Sequence, residues 1–257
     1  MQRVAPRPVG DLLDESVKLY RESFAHWWLP SLACALANFV LGVAIKSSIG
    51  WDRDLLTMLV GGARPSLAPA LLATGVLALV TLWAYGALYA AFDATCRGAP
   101  LTQAQTASIG LRALPQLLGT ALVSSLIISL GLVALIVPGA YLFARLALGM
   151  PVAALERGGV FASMSRSYAL TQGSFWRIST ALSIAVGITV LAAIAFGIVT
   201  EILSWIAGGT PIVAAMIDLV LQALQTFLTT AITPLAGVVL YRDLKAQNDP
   251  GVPVQKS

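Results

Sequence analysis

Apolar residues in this chain come in long runs, and nearly all charge is confined to the short segments between them. Residues 65–92, 113–144, 178–200 and 219–241 contain no Asp, Glu, Lys or Arg. Each run is long enough for the ~20 apolar residues that a membrane-spanning helix needs. The pattern predicts six spans, at about residues 28–45, 69–92, 113–137, 140–155, 175–203 and 212–240. The fourth is short and carries Arg145 inside it. Two segments between runs have helical spacing of apolar and polar residues instead. Residues 11–24 place Leu12, Leu13, Val17, Leu19, Tyr20 and Phe24 on one side, with acidic residues early and Lys18 and Arg21 late, as the helix dipole prefers. Residues 157–173 form the second. Both read as amphipathic helices lying at the membrane surface. Pro138-Gly139 reads as a tight turn between spans three and four. The polar loop 46–68 separates spans one and two, and 246–257 reads as a disordered tail after a membrane domain of residues 1–245.

Composition places this pattern in a class. The chain is 58% hydrophobic and 11% charged, with a mean hydropathy of +0.83. A soluble domain carries roughly 25% charged residues, so most of this surface must face lipid. The fold class is therefore an all-α integral membrane protein. The start of the chain lacks the apolar core and cleavage site of a signal peptide. Cys34 and Cys96 suggest neither a disulfide nor a metal framework.

Charge sets the orientation. With six spans, one side holds Arg3, Arg7, Lys18, Arg21, Arg97, Arg112, Arg157, Arg166, Arg177, Arg242, Lys245 and Lys256, and the other holds Lys46, Arg53 and Arg64. The positive-inside rule then puts both termini in the cytoplasm of a bacterial inner-membrane protein. Removing span four would spoil that asymmetry, which is the main reason to draw it as a crossing. Trp27, Trp28, Phe175 and Trp176, with Arg166 and Arg177, are expected at the interface, where indole rings and basic side chains sit well. The basic pI of about 9.3 follows the membrane boundary and does not suggest nucleic acid.

Two internal matches appear. At an offset of sixty, Ala84/Ala144, Ala87/Ala147, Leu88/Leu148, Ala94/Ala154, Arg97/Arg157 and Gly98/Gly158 are identical. At an offset of 151, Ser16/Ser167, Leu19/Leu170, Ser23/Ser174 and Phe24/Phe175 are identical. One reading is three units of surface helix plus hairpin, starting near Asp11, Leu101 and Gly159. The other is that any such hairpin needs basic, small and aromatic residues at its ends.

The segment 135–178 resembles a known family. Pro138-Gly139, Pro151, Glu156, Gly158-Gly159, Ser163, Ser165, Arg166, Ser167, Leu170, Thr171, Gly173 and Phe175-Trp176 are similar to the membrane domain found attached to glycerophosphoryl diester phosphodiesterases in some bacteria. The same domain also stands alone in multi-spanning inner-membrane proteins. The resemblance implies a six-helix membrane domain without catalysis of its own. Nothing here corresponds to the separate catalytic barrel, whose acidic and histidine ligands cannot be supplied by a chain with His26 alone.

Candidate chemistry is sparse. One histidine excludes two-His zinc motifs, and neither a nucleophile elbow nor a phosphate-binding loop is present. No catalytic residue, cofactor or metal is expected. The informative residues are polar ones within spans. Asp218, Gln222, Gln225, Thr229 and Thr233 fall on one face of span six. A polar stripe avoids lipid, so it lines a solute path or hydrogen-bonds between helices. Arg145 is expected to pair with Asp218, or with Glu201 as second choice, with Asn38 adding a hydrogen bond.

These features support two functions. One is a non-catalytic bundle serving membrane organisation, lipid homeostasis or a partner complex. The other is a small transporter or permease subunit with a path along span six. Membrane lipids are the expected partners, with another membrane or cytoplasmic protein as a further candidate.

Overall fold

The computed structural model describes residues 9–49, 67–208 and 210–248, and every regular element among them is an α-helix. In chain order these are α1 (Val9–Glu22), α2 (Phe24–Ile49), α3 (Leu67–Cys96), α4 (Gln103–Ala134), α5 (Ile136–Leu146), α6 (Gly149–Glu156), α7 (Val160–Leu170), α8 (Phe175–Ile206), α9 (Pro211–Thr229) and α10 (Ile232–Asn248). Most of the polar loop 46–68 lies outside the described residues. Of the tail expected to be disordered from 246, residues 246–248 belong to α10, and the rest lies outside the described residues.

Among the described residues, five stretches are long and apolar enough to cross a membrane: Phe24–Ser47, Leu71–Cys96, Gln103–Val133, Phe175–Ile206 and Pro211–Asn248. Their outer surfaces are apolar. Along α8, Val190, Leu191, Ile194, Ile198, Ile202 and Ile206 are all exposed. Water would not tolerate a contiguous face of this kind, and lipid covers it at no cost. The protein is an integral membrane protein.

Proline explains where helices break. Pro138, Pro151 and Pro234 each stand third in their helices, α5, α6 and α10. A proline ring collides with the carbonyl four residues earlier and has no N–H to donate, but the first helical turn needs no such donor. The residues four back are Ala134, Ala147 and Thr230, and each sits at the end of the preceding helix or in the joint after it. Span four, drawn as one helix over 140–155, is therefore two: α5 and α6 with a joint at Ala147-Leu148. Span six is likewise α9 and α10 with a joint at Thr230-Ala231. The turn expected at Pro138-Gly139 falls earlier, at Leu135, whose extended backbone (φ −165°, ψ 145°) separates α4 from α5. Gly139 instead lets α5 fold back on α4. A Cβ there would come within 2.7 Å of the Leu132 backbone nitrogen, so only glycine fits without a shift.

The chain divides into two compact units. Unit 1 comprises residues 1–30, 82–187 and 231–257, and unit 2 comprises 31–81 and 188–230. Three helix segments supply much of the core of unit 1. Ala84, Ala87, Leu88, Tyr89 and Phe92 come from α3; Leu148, Val152, Ala153 and Ala154 from and beside α6; Leu235, Val238, Val239, Leu240 and Leu244 from α10. They meet at Gly237, where an added Cβ would lie 3.3 Å from Tyr89 Cε1 and 3.7 Å from Pro151 Cγ. Helix α1 packs on α10 through buried Leu12 and Leu19. The joint at Ser23 turns α1 back so that Tyr20 lies against Trp27, with ring centroids 4.5 Å apart. In unit 2, Gly42 of α2 meets Leu219 of α9, and Asn38 donates to Thr226 Oγ1 at 3.3 Å.

Candidate functional site

Seven charged side chains of unit 1, Asp93, Glu156, Arg166, Arg177, Arg242, Asp243 and Lys245, gather around one turn of α10, Tyr241-Arg242-Asp243-Leu244-Lys245. Successive residues on a helix point about 100° apart, so this turn reaches in several directions at once. Arg242 donates to Asp93 Oδ1 at 3.3 Å and to the Cys96 carbonyl at 3.4 Å, gripping the end of α3. Asp243 accepts from Arg177 of α8 and from Gln247 at 2.7 Å. Tyr241 donates to Glu156 Oε1 at 2.6 Å, and Lys245 Nζ donates to the same oxygen at 3.1 Å. Glu156 also faces Arg166 Nε of α7 at 3.6 Å. One turn thus ties the ends of α3, α6, α7 and α8 together.

Burial decides which of these pairs matter. Asp93 and Asp243 are buried, and their side chains are 8% and 5% exposed in the pairs with Arg242 and Arg177. A buried carboxylate without a counter-charge would cost several kcal/mol, roughly 3–5 when a partner is removed. Arg177 is also enclosed, and its Nε and Nη1 find no hydrogen-bond partner. The Glu156 group is more open. Burial pulls its carboxyl upward, but the hydrogen bonds from Tyr241 and Lys245 and the charges of Lys245 and Arg166 outweigh that and hold it below its ordinary value.

A second seam joins α7 to the broken helix. The joint at Ala147-Leu148 deprives the Arg145 carbonyl of a partner within α5. Ser167 Oγ donates to it at 2.8 Å, and Thr171 Oγ1 also reaches it at 3.4 Å. Ser163 donates to the Gly159 carbonyl at 2.7 Å and accepts from Gln116 of α4 at 3.1 Å. Ser167 and Thr171 thus supply donors to a carbonyl left open at the joint, and Ser163 links the start of α7 to α4.

The residues singled out from sequence fall into separate places. Arg145 lies in unit 1, and Asp218 and Glu201 lie in unit 2. Within its unit Arg145 engages aromatic side chains, with Nε donating to the Tyr141 hydroxyl at 2.9 Å. Its guanidinium lies 5.0 Å from the Tyr141 ring centre and 4.8 Å from that of Tyr168. In unit 2, Asn38 meets Thr226, one residue from the expected face. Thr226, Thr229 and Thr230 turn their hydroxyls back to the carbonyls of Gln222, Gln225 and Thr226, at 2.8, 2.9 and 2.6 Å. This back-bonding satisfies each hydroxyl within its own helix. Asp218, Gln225, Thr229 and Thr233 are half-buried, and Gln222 and Glu201 are exposed.

Of the interfacial residues, Trp28, Phe175, Trp176, Arg166 and Arg177 follow two patterns. Trp28 and Trp176 are exposed, and Phe175 stacks on Tyr141 with centroids 5.6 Å apart. Arg166 and Arg177 are engaged in ion pairs. Trp27 is only 1% exposed, and its indole N–H donates to the Tyr20 carbonyl at 2.8 Å. Adjacent tryptophans on a helix cannot share one face. Among the described residues no group of three His, Cys, Asp or Glu side chains is arranged to hold a metal ion.

A family model described as the membrane domain of glycerophosphoryl diester phosphodiesterase matches residues 112–256. No curated protein and no solved structure matches the chain.

Proposed function

The chain belongs to the family of membrane domains of glycerophosphoryl diester phosphodiesterase, and from that premise we propose that it is a non-catalytic bundle that organises the membrane or a partner within it. The observation that carries this reading is the commitment of its carboxylates. Asp93, Glu156 and Asp243 in unit 1 are each held by arginine or lysine. Carboxylates engaged by fixed counter-charges in this way suit a clamp better than a proton-transfer step. The threonine hydroxyls of α9 are spent within their own helix, which favours packing over a solute path. The alternative is a small permease subunit with its path along Gln222 and Gln225.

The bundle crosses the bacterial inner membrane six times, with both termini in the cytoplasm. The fourth crossing is the jointed pair α5–α6. Element boundaries support a threefold plan. Ser23 and Ser174 both lie in joints, and Phe24 and Phe175 both open long helices. Arg97-Gly98 and Arg157-Gly158 both follow helix ends, where Gly98 (φ 69°) and Arg157 (φ 50°) adopt left-handed backbone. Sealed vesicles containing the purified protein test the functional reading. Their permeability to small solutes should match that of protein-free vesicles. A solute-specific flux abolished by Gln222→Leu and Gln225→Leu would replace the scaffold with the permease.

A further inference from the structure

Helix α9 presents faces of different chemistry. One packs on α2, where Leu219 is buried against Gly42 and Thr226 Oγ1 accepts from Asn38. Another is apolar and exposed through Met216, Val220 and Leu224, and lipid covers it. A groove beside it, between α2 and α9, is lined by apolar side chains alone. A further face carries Asp218, Gln222, Gln225 and Thr229, at spacings of four, three and four residues. Gln222 is exposed, and Asp218, Gln225 and Thr229 are half-buried. Thr229 turns its hydroxyl back to the Gln225 carbonyl. Among the described residues, no hydrogen bond or ion pair engages the Asp218 carboxylate or the side-chain amides of Gln222 and Gln225. Helix α9 lies in a stretch long and apolar enough to cross the membrane. A carboxylate and two amides left against acyl chains there would be costly, so this face needs a polar partner.

We propose that the Asp218–Gln222–Gln225 face of α9 is a contact between two copies of this chain. The stripe is complementary to itself. Asp218 offers acceptors, while Gln222 and Gln225 offer amide donors as well as acceptors. Copies of one chain share orientation and depth in a membrane, so a twofold axis along the membrane normal sets equal positions side by side. Asp218 and Gln222 stand about one helical turn apart, roughly 5.4 Å along the axis, which a glutamine side chain spans. The Gln222 amide of one copy therefore donates to Asp218 of the other, and the reverse, as an isologous contact requires. Gln225 meets its own counterpart, since an amide both donates and accepts. A basic partner helix would answer Asp218 alone, whereas a second copy answers the acid and both amides. Polar side chains of this kind join helices within membranes. The contact rests on the scaffold reading and names its partner.

The test uses the full chain in phospholipid vesicles. Energy transfer between separately labelled copies measures self-association as the protein is diluted into lipid. Gln222→Leu with Gln225→Leu should weaken it by about tenfold, the equivalent of the interhelical hydrogen bonds lost. Disulfide trapping locates the contact independently should that variant fail to fold. In a chain carrying Cys34→Ala and Cys96→Ala, position 214 lies one turn before Asp218 on the same face, and Ala214→Cys should trap a dimer on oxidation. Met216→Cys, on the apolar side, should not. Association that survives the paired glutamine change, or trapping that is equal at the two positions, overturns the contact. A disulfide from Ala214→Cys to a different membrane protein, without a dimer, gives the face to another partner and overturns the second copy. A monomeric chain that leaves the vesicles impermeable overturns the contact and keeps the scaffold. A monomeric chain whose Gln222 and Gln225 support a solute flux overturns both.

Discussion

Ser167 donates its hydroxyl to the carbonyl of Arg145 at 2.8 Å, and the two residues belong to different helices. Arg145 stands two residues before the Ala147-Leu148 joint, where the Gly149 N–H of an unbroken helix would have met its carbonyl. Ser167→Ala should therefore destabilise the protein by about 1–2 kcal/mol, the cost of leaving a buried acceptor with one partner fewer. Thr171, at 3.4 Å, should cost less when changed to valine. Thermal unfolding in a mild detergent measures both. Pro151→Ala gives the joint a chance to close, so the cost of Ser167→Ala should shrink in that background. Equal costs in both backgrounds would detach the serine from the broken helix.

Asp243 and Arg177 form an enclosed pair on α10 and α8. Asp243→Ala should cost roughly 3–5 kcal/mol, because Arg177 would remain buried with no counter-charge. Arg177→Met with Asp243→Leu removes both charges and should recover most of that loss. The level of folded protein extracted from membranes reports the order: both singles low, the double higher. A double variant no better than Asp243→Ala would mean that the pair is not the relevant partner set.

Glu156 links α6, α7 and α10 in a more open setting, so its contribution is at most about 1 kcal/mol. Its carboxyl is held below the ordinary value of 4.5. A depressed carboxyl stabilises the folded state fully above the unfolded value and loses that contribution as pH falls through the folded one. The difference in stability between wild type and Glu156→Gln should be constant above about pH 5.5, by that linkage, and should close at lower pH. A difference that grows on acidification would reverse the assignment.

Gly110 lies against α3, where an added Cβ would stand 2.7 Å from the Trp83 carbonyl oxygen and 2.9 Å from the Ala87 nitrogen. Both are backbone atoms and cannot rotate away. Gly110→Ala should destabilise by about 1–3 kcal/mol through forced separation of α3 and α4, read as a lower unfolding temperature. Gly187, with nothing within 4 Å, should accept alanine without loss.

Much of this architecture is legible from the apolar runs. The amphipathic segment 11–24 corresponds to α1, and spans one, two and five lie within or close to α2, α3 and α8, because an unbroken apolar run of that length has few alternatives to a helix. The joints were also visible, since Pro151 and Pro234 stand inside runs read as continuous; their weight was lost against the length of the run. The α10 hub was not legible. Arg242 meets Asp93 across 149 residues and Tyr241 meets Glu156 across 85, and nothing local in the sequence announces which acid meets which base.

The six-pass bundle depends most on whether the jointed pair α5–α6 crosses the membrane. A reporter active only in the periplasm and one active only in the cytoplasm, each fused after Gly173, decide it, with fusions after Gly50 and Lys245 as references. Six crossings require periplasmic signal at Gly50 and cytoplasmic signal at Gly173 and Lys245. Periplasmic signal at Gly173 would remove the fourth crossing and place the basic residues of α7 on the wrong side, which the bundle described here cannot accommodate.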